Sequence, residues 1–449
     1  AGYSSMEAAK NLVFHVYPLF FFPAVWAGQR NPDLLPRVVR PMAWCIGIYG
    51  VAYITLFSRW DLRFEVAGAD PVAWLGHADH AVCRTVLRDN DFGVSDPDET
   101  GLPRPLVALV RRVDPELPNP VEPPAMLMTD PPGHTEYRRL VSRSFTPKAI
   151  ASLQERIEGI TTSLLDDLAD RETVDLVADY AAQLPAAVIT EILGVPATDR
   201  HLVLGWGTSA SPLLDIGITW PVYRAAMADL RNVESYLTAH FARLRRDGGD
   251  GTPFSTMALE GGLTHRELTA NAALLVGAGV ETTVNLISNG IAALVEHPDQ
   301  LALLREDPEL WPSAIEEMLR FASPVQMTAR KAHRDVEVAG MPVRRGETVV
   351  MLLGGANRDP RVFEQPDRFD ITRANAREHL AFATGIHVCL GAALARNEAV
   401  SALRGLFDRY PDLQLAGPAE PRALVNLHGY RRMPATVTPR SVEPAAARR

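Results

Sequence analysis

Apolar positions recur at helical spacing over most of the chain. Gly391 to Phe407 reads as an amphipathic helix, its apolar residues returning every three to four positions. Thr264-His-Arg-Glu267 has the form of a capping box and predicts a long helix to about Glu296. Trp311 to Phe321 predicts another. Residues 147–247 read as successive helices, one of them stopped by Gly194 and Pro196. Asp79 can cap a helix running to about Leu87. Pro131 and Pro132 precede a short helix with Glu136 in its first turn.

Strand-like alternation is confined to short stretches, Leu62 to Ala67, Val336 to Val338 and Glu347 to Leu352. Hairpins are predicted from Asp412 to Pro439, with Gly429 at a tip. Residues 96–125 are proline-rich and read as a long loop, and Leu202 to Met227, broken by Gly205, Gly207, Pro212 and Pro221, reads as a mobile lid. Two apolar runs, Asn11 to Gly28 and Pro41 to Phe57, are near the lower length for a membrane span, but Pro18 and Pro23 interrupt the first. Lys10 alone makes no basic leader, so a signal peptide is not expected. The expectation is an N-terminal segment 1–60 packed on the body, with peripheral membrane contact as the alternative, a body over 61–440, and a loose tail at 441–449.

The 449 residues are 47% hydrophobic, enough for a large core, and the net charge of -9 argues against wholesale nucleic-acid binding. Three cysteines in so long a chain make no disulfide framework, which fits a reducing cytoplasm.

One of those cysteines carries the candidate chemistry. Cys389 lies in Phe382-Ala-Thr-Gly-Ile-His-Val-Cys-Leu-Gly391, just before a predicted helix. Unpaired N–H groups and the helix dipole favour a thiolate there, and a thiolate is a soft ligand suited to iron. Gly385 and Gly391 allow a tight bend and the close approach of something flat. Inside the long helix, Gly277 and Gly279 each cost about 1 kcal/mol against alanine. A flat ligand or a neighbouring helix must fill that groove. His134 and Arg138, four apart, share a helix face, as do Glu317 and Arg320, three apart. His77 and His80 beside Asp79 have no further ligand cluster and read as a solvated helix start, with Cys83 in the core.

The stretch around Cys389 resembles the haem-binding loop of the cytochrome P-450 superfamily, F-G-x-G-x-H-x-C-x-G, with Ala383 in place of the first glycine. Gly277 to Thr283 is similar to that superfamily's oxygen-binding helix, (A/G)-G-x-(D/E)-T, and Glu317 to Arg320 matches its E-x-x-R. Arg368 and Arg373 are both open as the third member of that network. Together with Ser323 to Arg330, these motifs look most like the soluble bacterial, actinobacterial members.

The resemblance implies a mainly α fold with small β-sheets, a triangular-prism single domain with haem between the long distal helix and the cysteine-ligand helix. It implies haem b with Cys389 as the iron's axial ligand, and His134, Arg138, Arg330 and His387 on the haem propionates. Phe382, Gly385, Gly391, Ala278 and Gly279 would shape the haem site, Glu281 and Thr282 would deliver protons to bound O2, and Glu317 and Arg320 would be structural. Val325, Gln326 and Met327 would line the substrate pocket. The implied function is a monooxygenase inserting one oxygen atom from O2 into a lipophilic small molecule, by hydroxylation or epoxidation. Electrons would come from NAD(P)H through a ferredoxin and ferredoxin reductase, docking on charge from Arg138, Arg139, Arg143 and Arg396. A peroxide-driven peroxygenase and a non-catalytic haem sensor are the alternatives.

Overall fold

The computed structural model describes residues 74–94, 124–215 and 220–437. The expected N-terminal segment, the strand from Leu62, most of the loop at 96–125 and the tail lie outside them. The chain divides after Val66, and Ala67 onward forms one compact unit.

Helices dominate, and their ends follow local chemistry. Helix α1 (His80–Arg88) is capped by the Asp79 carboxylate, which accepts the Val82 N–H. There follow α2 (Gly133–Val141), α3 (Pro147–Leu168) and α4 (Gln183–Leu193), the last ended by Gly194 at φ 68°, a left-handed conformation glycine adopts freely. Next come α5 (Arg200–Ala210), α6 (Trp220–Asp247) and α7 (Pro253–Glu260). The expected lid region is therefore mostly helical: α5, a short turn at Ser211–Leu214, and the start of α6.

Helix α8 (His265–Glu296) is the axis of the core. Both halves of its capping box form between Thr264 and Glu267. Most of it is buried under α4, α5, α6 and the later α12 (Ala392–Arg409). Its glycines serve that packing. A Cβ on Gly279 would lie 3.0 Å from Ile189 of α4, and one on Gly277 would lie 3.5 Å from Ala210 of α5. Gly207 of α5 answers from the other side, where a Cβ would meet Val280 at 2.8 Å. Ile189 thus takes up part of the space that Gly279 leaves, while Gly279 itself stays partly open and a Cβ on Gly277 would make only an ordinary contact.

Among the described residues, helices α9 (Pro298–Glu306), α10 (Trp311–Phe321) and a single turn α11 (Leu353–Ala356) follow, before α12. The sheets are small. Strands β1 (Trp74–His77), β2 (Phe92–Gly93), β4 (Thr328–Ala332) and β7 (Thr348–Met351) form one sheet in the order β1-β7-β4-β2, with β1 parallel to β7 and the other pairs antiparallel. A second sheet joins β3 (Thr173–Asp175), β11 (Pro434–Thr436) and β8 (Gln414–Leu415). Two hairpins pair β5 (Val336–Val338) with β6 (Met341–Val343), and β9 (Glu420–Pro421) with β10 (Tyr430–Arg432).

Gly429 is not at a hairpin tip. It closes the loop 422–429 at its base, buried against α8, where a Cβ would come within 2.2 Å of the Asn285 amide oxygen. His80, read as solvated, is buried and binds the Glu378 carbonyl at 2.7 Å, while Cys83 is in the core as expected.

Candidate functional site

The loop before α12 is held by its own backbone. The Cys389 N–H donates to the Phe382 carbonyl (2.9 Å), and residues 385–387 form a single tight turn. Gly385 has φ +77°, and a Cβ there would lie 2.1 Å from the Leu87 carbonyl oxygen. That glycine is thus required by the close approach of the end of α1. Gly391 is the residue from which α12 departs. Ala383 adopts φ 54°, so the one departure from the family pattern places a Cβ where glycine is the unstrained choice.

Cys389 is enclosed by protein on most sides, yet its surface remains accessible, so it borders a cleft. Burial pushes its thiol above the ordinary range. The Gly391 N–H, Arg138 and Arg396 pull the other way without overcoming it. The helix start alone therefore does not set a thiolate here. A cation at the sulfur would, because coordination to a metal deprotonates a thiol.

Four side chains expected near one another do converge. The His134 and His387 rings lie 4.2 Å apart, and His134 is driven down to about 4 first by burial, then by His387 and Arg138. Burial pushes Arg330, on β4, down to about 10 and also lowers Arg138. Among the described residues, Arg330 donates to neutral oxygens, Thr328 Oγ1 (3.2 Å) and the Ala329 carbonyl (2.7 Å). His387 Nε2 is buried without a hydrogen-bond partner, 3.8 Å from Asp130 Oδ1. That carboxylate also accepts the Val94 N–H and faces His333. The cluster thus has more buried donors than acceptors, and it fits a group bearing carboxylates beside Cys389. Haem is such a group.

In the middle of α8, Leu275, Ala278, Gly279 and Thr282 form a stripe less covered than the residues around them. Thr282 Oγ1 donates to the Ala278 carbonyl at 2.6 Å. Glu281 and Thr282, expected to work together, have different partners. The Glu281 carboxylate is buried and pairs with Arg422 Nη2 at 2.5 Å, while Arg422 Nε donates to Asn285 Oδ1 at 3.2 Å. Burial raises the Glu281 carboxyl above its usual range against the pull of Arg422. Nothing local marked Arg422, which lies more than a hundred residues away.

Glu317 and Arg320 form a fully buried two-point ion pair, with Nε–Oε2 2.7 Å and Nη2–Oε1 2.8 Å. Arg373 completes the network, its Nε 3.2 Å from both Glu317 oxygens, whereas Arg368 contributes only its backbone carbonyl. Glu316, which the sequence did not single out, binds His379 (3.0 Å) and Arg396 (2.7 Å) and is held down at about 2, with hydrogen bonds from both partners overcoming burial. Arg396 stacks on Phe382. Of the expected docking charges, Arg396 is paired with Glu316, Arg138 is half-buried, and Arg139 and Arg143 are exposed, Arg143 in a surface ion pair with Glu260 at 2.9 Å. Val325, Gln326 and Met327 are half-buried beside loop 422–429, with Val325 bridged to Leu427.

The family model described as Cytochrome P450 matches residues 245–411. Cytochrome P450 140 of Mycobacterium tuberculosis is 46% identical over 368 residues, covering 80% of this chain and 84% of that protein. The vitamin D(3) 25-hydroxylase of Pseudonocardia autotrophica is 44% identical over 329 residues, 71% of this chain and 79% of that protein. Among solved structures, CYP109E1 from Bacillus megaterium in complex with testosterone superposes with a TM-score of 0.73 at 29% identity, covering 88% of this chain and 97% of that one.

Proposed function

The chain belongs to the cytochrome P450 family, and from that premise we propose that Cys389 is the axial ligand of its haem iron, with His134, Arg138, Arg330 and His387 on the propionates. As a member it is a monooxygenase of small molecules. The observation that carries the residue assignment is the surplus of buried donors beside Cys389: a cation for the thiol and two carboxylates for the arginines are what this pocket lacks.

When bound, haem supplies the activation of O2 for transfer of one oxygen atom. This chain's residues orient and protonate. Thr282 Oγ1 stands on the open stripe of α8 and can pass a proton toward that face. Glu281 is the carboxyl that resupplies it, once the Arg422 ion pair opens. Val325 to Met327, with loop 422–429, form a mainly apolar wall that suits a lipophilic substrate. The relatives point the same way, one named for vitamin D(3) and one crystallised with testosterone. Hydroxylation is favoured over epoxidation for this reason. A ferredoxin and reductase drawing on NAD(P)H would supply electrons in the cytoplasm, with Arg139 on the docking face.

The test is the carbon monoxide spectrum of the reduced, haem-loaded protein. A strongly red-shifted Soret band is expected, retained in Cys83→Ala and lost in Cys389→Ala. Retention of that band in Cys389→Ala would overturn the assignment. Turnover supported by ferredoxin and reductase, but not by peroxide alone, would separate the monooxygenase from a peroxygenase.

A further inference from the structure

We propose that Asp215 and Asn426 are positioning residues that fix the walls of the substrate pocket, fastening the 211–215 turn to loop 422–429 and to the segment 325–327. The proposal rests on the pocket reading above.

The observation is the use made of a single asparagine. The Asn426 N–H donates to Asp215 Oδ1 (2.6 Å), and its side-chain amide donates to the Leu214 carbonyl (2.9 Å). On its other side, the Asn426 carbonyl accepts the Gln326 N–H (2.8 Å) and its Oδ1 accepts the Met327 N–H (2.9 Å). Every polar group of Asn426 is thus engaged, donors toward one segment and acceptors toward the other. Asp215 adds a second bond, accepting the Val425 N–H at 2.9 Å. Bonds to an ionised carboxylate are stronger than neutral ones.

These bonds fasten the loop's middle, together with the bridge between Leu427 and Val325. Residues 422–429 lie between β9 and β10 and belong to no named strand. The base of the loop is anchored on α8 by Arg422, by Gly429 against Asn285, and by the Asn289 amide donating to the His428 carbonyl. Its middle is fastened by Asp215 and by segment 325–327. Three stretches distant in sequence meet through the one side chain, so the width of the pocket is set by residues that need not touch the substrate. Asparagine fits because it carries a donor and an acceptor on one short planar group. Aspartate in its place would lose the donor and set a second carboxylate against Asp215.

Amide hydrogen exchange on the intact chain tests the clasp without reference to haem. Asp215→Ala is expected to speed exchange in peptides spanning 424–428 and 324–328 by about tenfold or more, the loss of a charge-assisted bond. Peptides from the β4–β7 ladder should exchange as in the wild type. Asp215→Asn keeps an acceptor oxygen without the charge, and it should fold where the alanine variant fails. It should show a smaller acceleration, about threefold. Asn426→Asp should match Asp215→Ala.

The second arm is a panel of lipophilic ligands of graded bulk, read by the haem spectral shift. Asp215→Ala should gain affinity for the bulkier members relative to the smaller, with faster association. Wild-type exchange at 424–428 in Asp215→Asn and Asn426→Asp, or an unchanged ligand ranking alongside altered exchange, overturns the proposal. If the wild type shows no ligand shift at all, the pocket reading fails, while exchange still decides whether the clasp exists.

Discussion

Two buried charged clusters in this molecule have opposite balances. Around Glu317, two arginines meet one carboxylate, and the remaining guanidinium N–H groups are satisfied by the carbonyls of Asn357, Glu364, Pro366 and Arg368. Around His387, Arg330, His134 and His333 also face the Asp130 carboxylate, and His387 Nε2 has no hydrogen-bond partner among the described residues. The first cluster is closed by its own hydrogen bonds, as a scaffold element would be. The second is incomplete among the described residues, as a binding site is expected to be: the protein would bear the desolvation of its donors until a ligand brings the acceptors. Motifs at equal sequence strength thus separate into scaffold and site by whether their hydrogen bonds are already spent.

Breaking the closed cluster should have the largest effect. Glu317→Ala leaves Arg320 and Arg373 buried without a counter-charge and is expected to cost about 3–5 kcal/mol, read by denaturant unfolding. An outcome below 1 kcal/mol would mean that the network is not the scaffold described.

Glu398 sharpens the contrast as a buried ionisable group for which the described residues offer Oε2 no hydrogen-bond partner. Burial pushes its carboxyl up to about 8. The folded chain therefore keeps a proton that the unfolded chain releases near its ordinary carboxyl value. Stability should fall as pH rises from that value toward about 8, since the native state binds more protons across that window. Glu398→Gln should remove the slope, matching the wild type in acid and exceeding it by a few kcal/mol above that pH. Unfolding curves over a pH series check it, and parallel curves for the two proteins would count against a protonated Glu398.

In the incomplete cluster the expected sign differs. Arg330→Met should leave the haem-free chain equally or more stable, because it removes an uncompensated buried charge, while haem affinity falls about tenfold or more. Haem titration with parallel unfolding separates the two effects, and a large loss of stability without haem would erase the distinction between the clusters.

The smallest effect belongs to the Cys389 loop. Ala383→Gly relieves a left-handed backbone at φ 54° and should stabilise by about 1 kcal/mol, visible as a small rise in melting temperature.

Much of this was legible in the sequence because it is local. The Thr264 cap, the Gly194 stop and the helix from Ala392 depend on residues within a turn of one another, and the structure places each where the pattern predicted. The Cys389 loop and the Glu317-x-x-Arg320 spacing were equally plain, and they named the family. What the pattern could not give was partnership across the chain. Glycines at 279 and 385 looked like room for a flat ligand, and their missing Cβ atoms also make way for Ile189 and the Leu87 carbonyl, partners that no local pattern names. Arg373 rather than Arg368 closes the Glu317 network, Arg422 takes Glu281 away from Thr282, and Asn426 joins segments about two hundred and one hundred residues distant. Periodicity and spacing report on neighbours along the helix and strand. Which buried donor finds which acceptor depends on how those elements pack, and only the tertiary structure brings such groups within 3 Å.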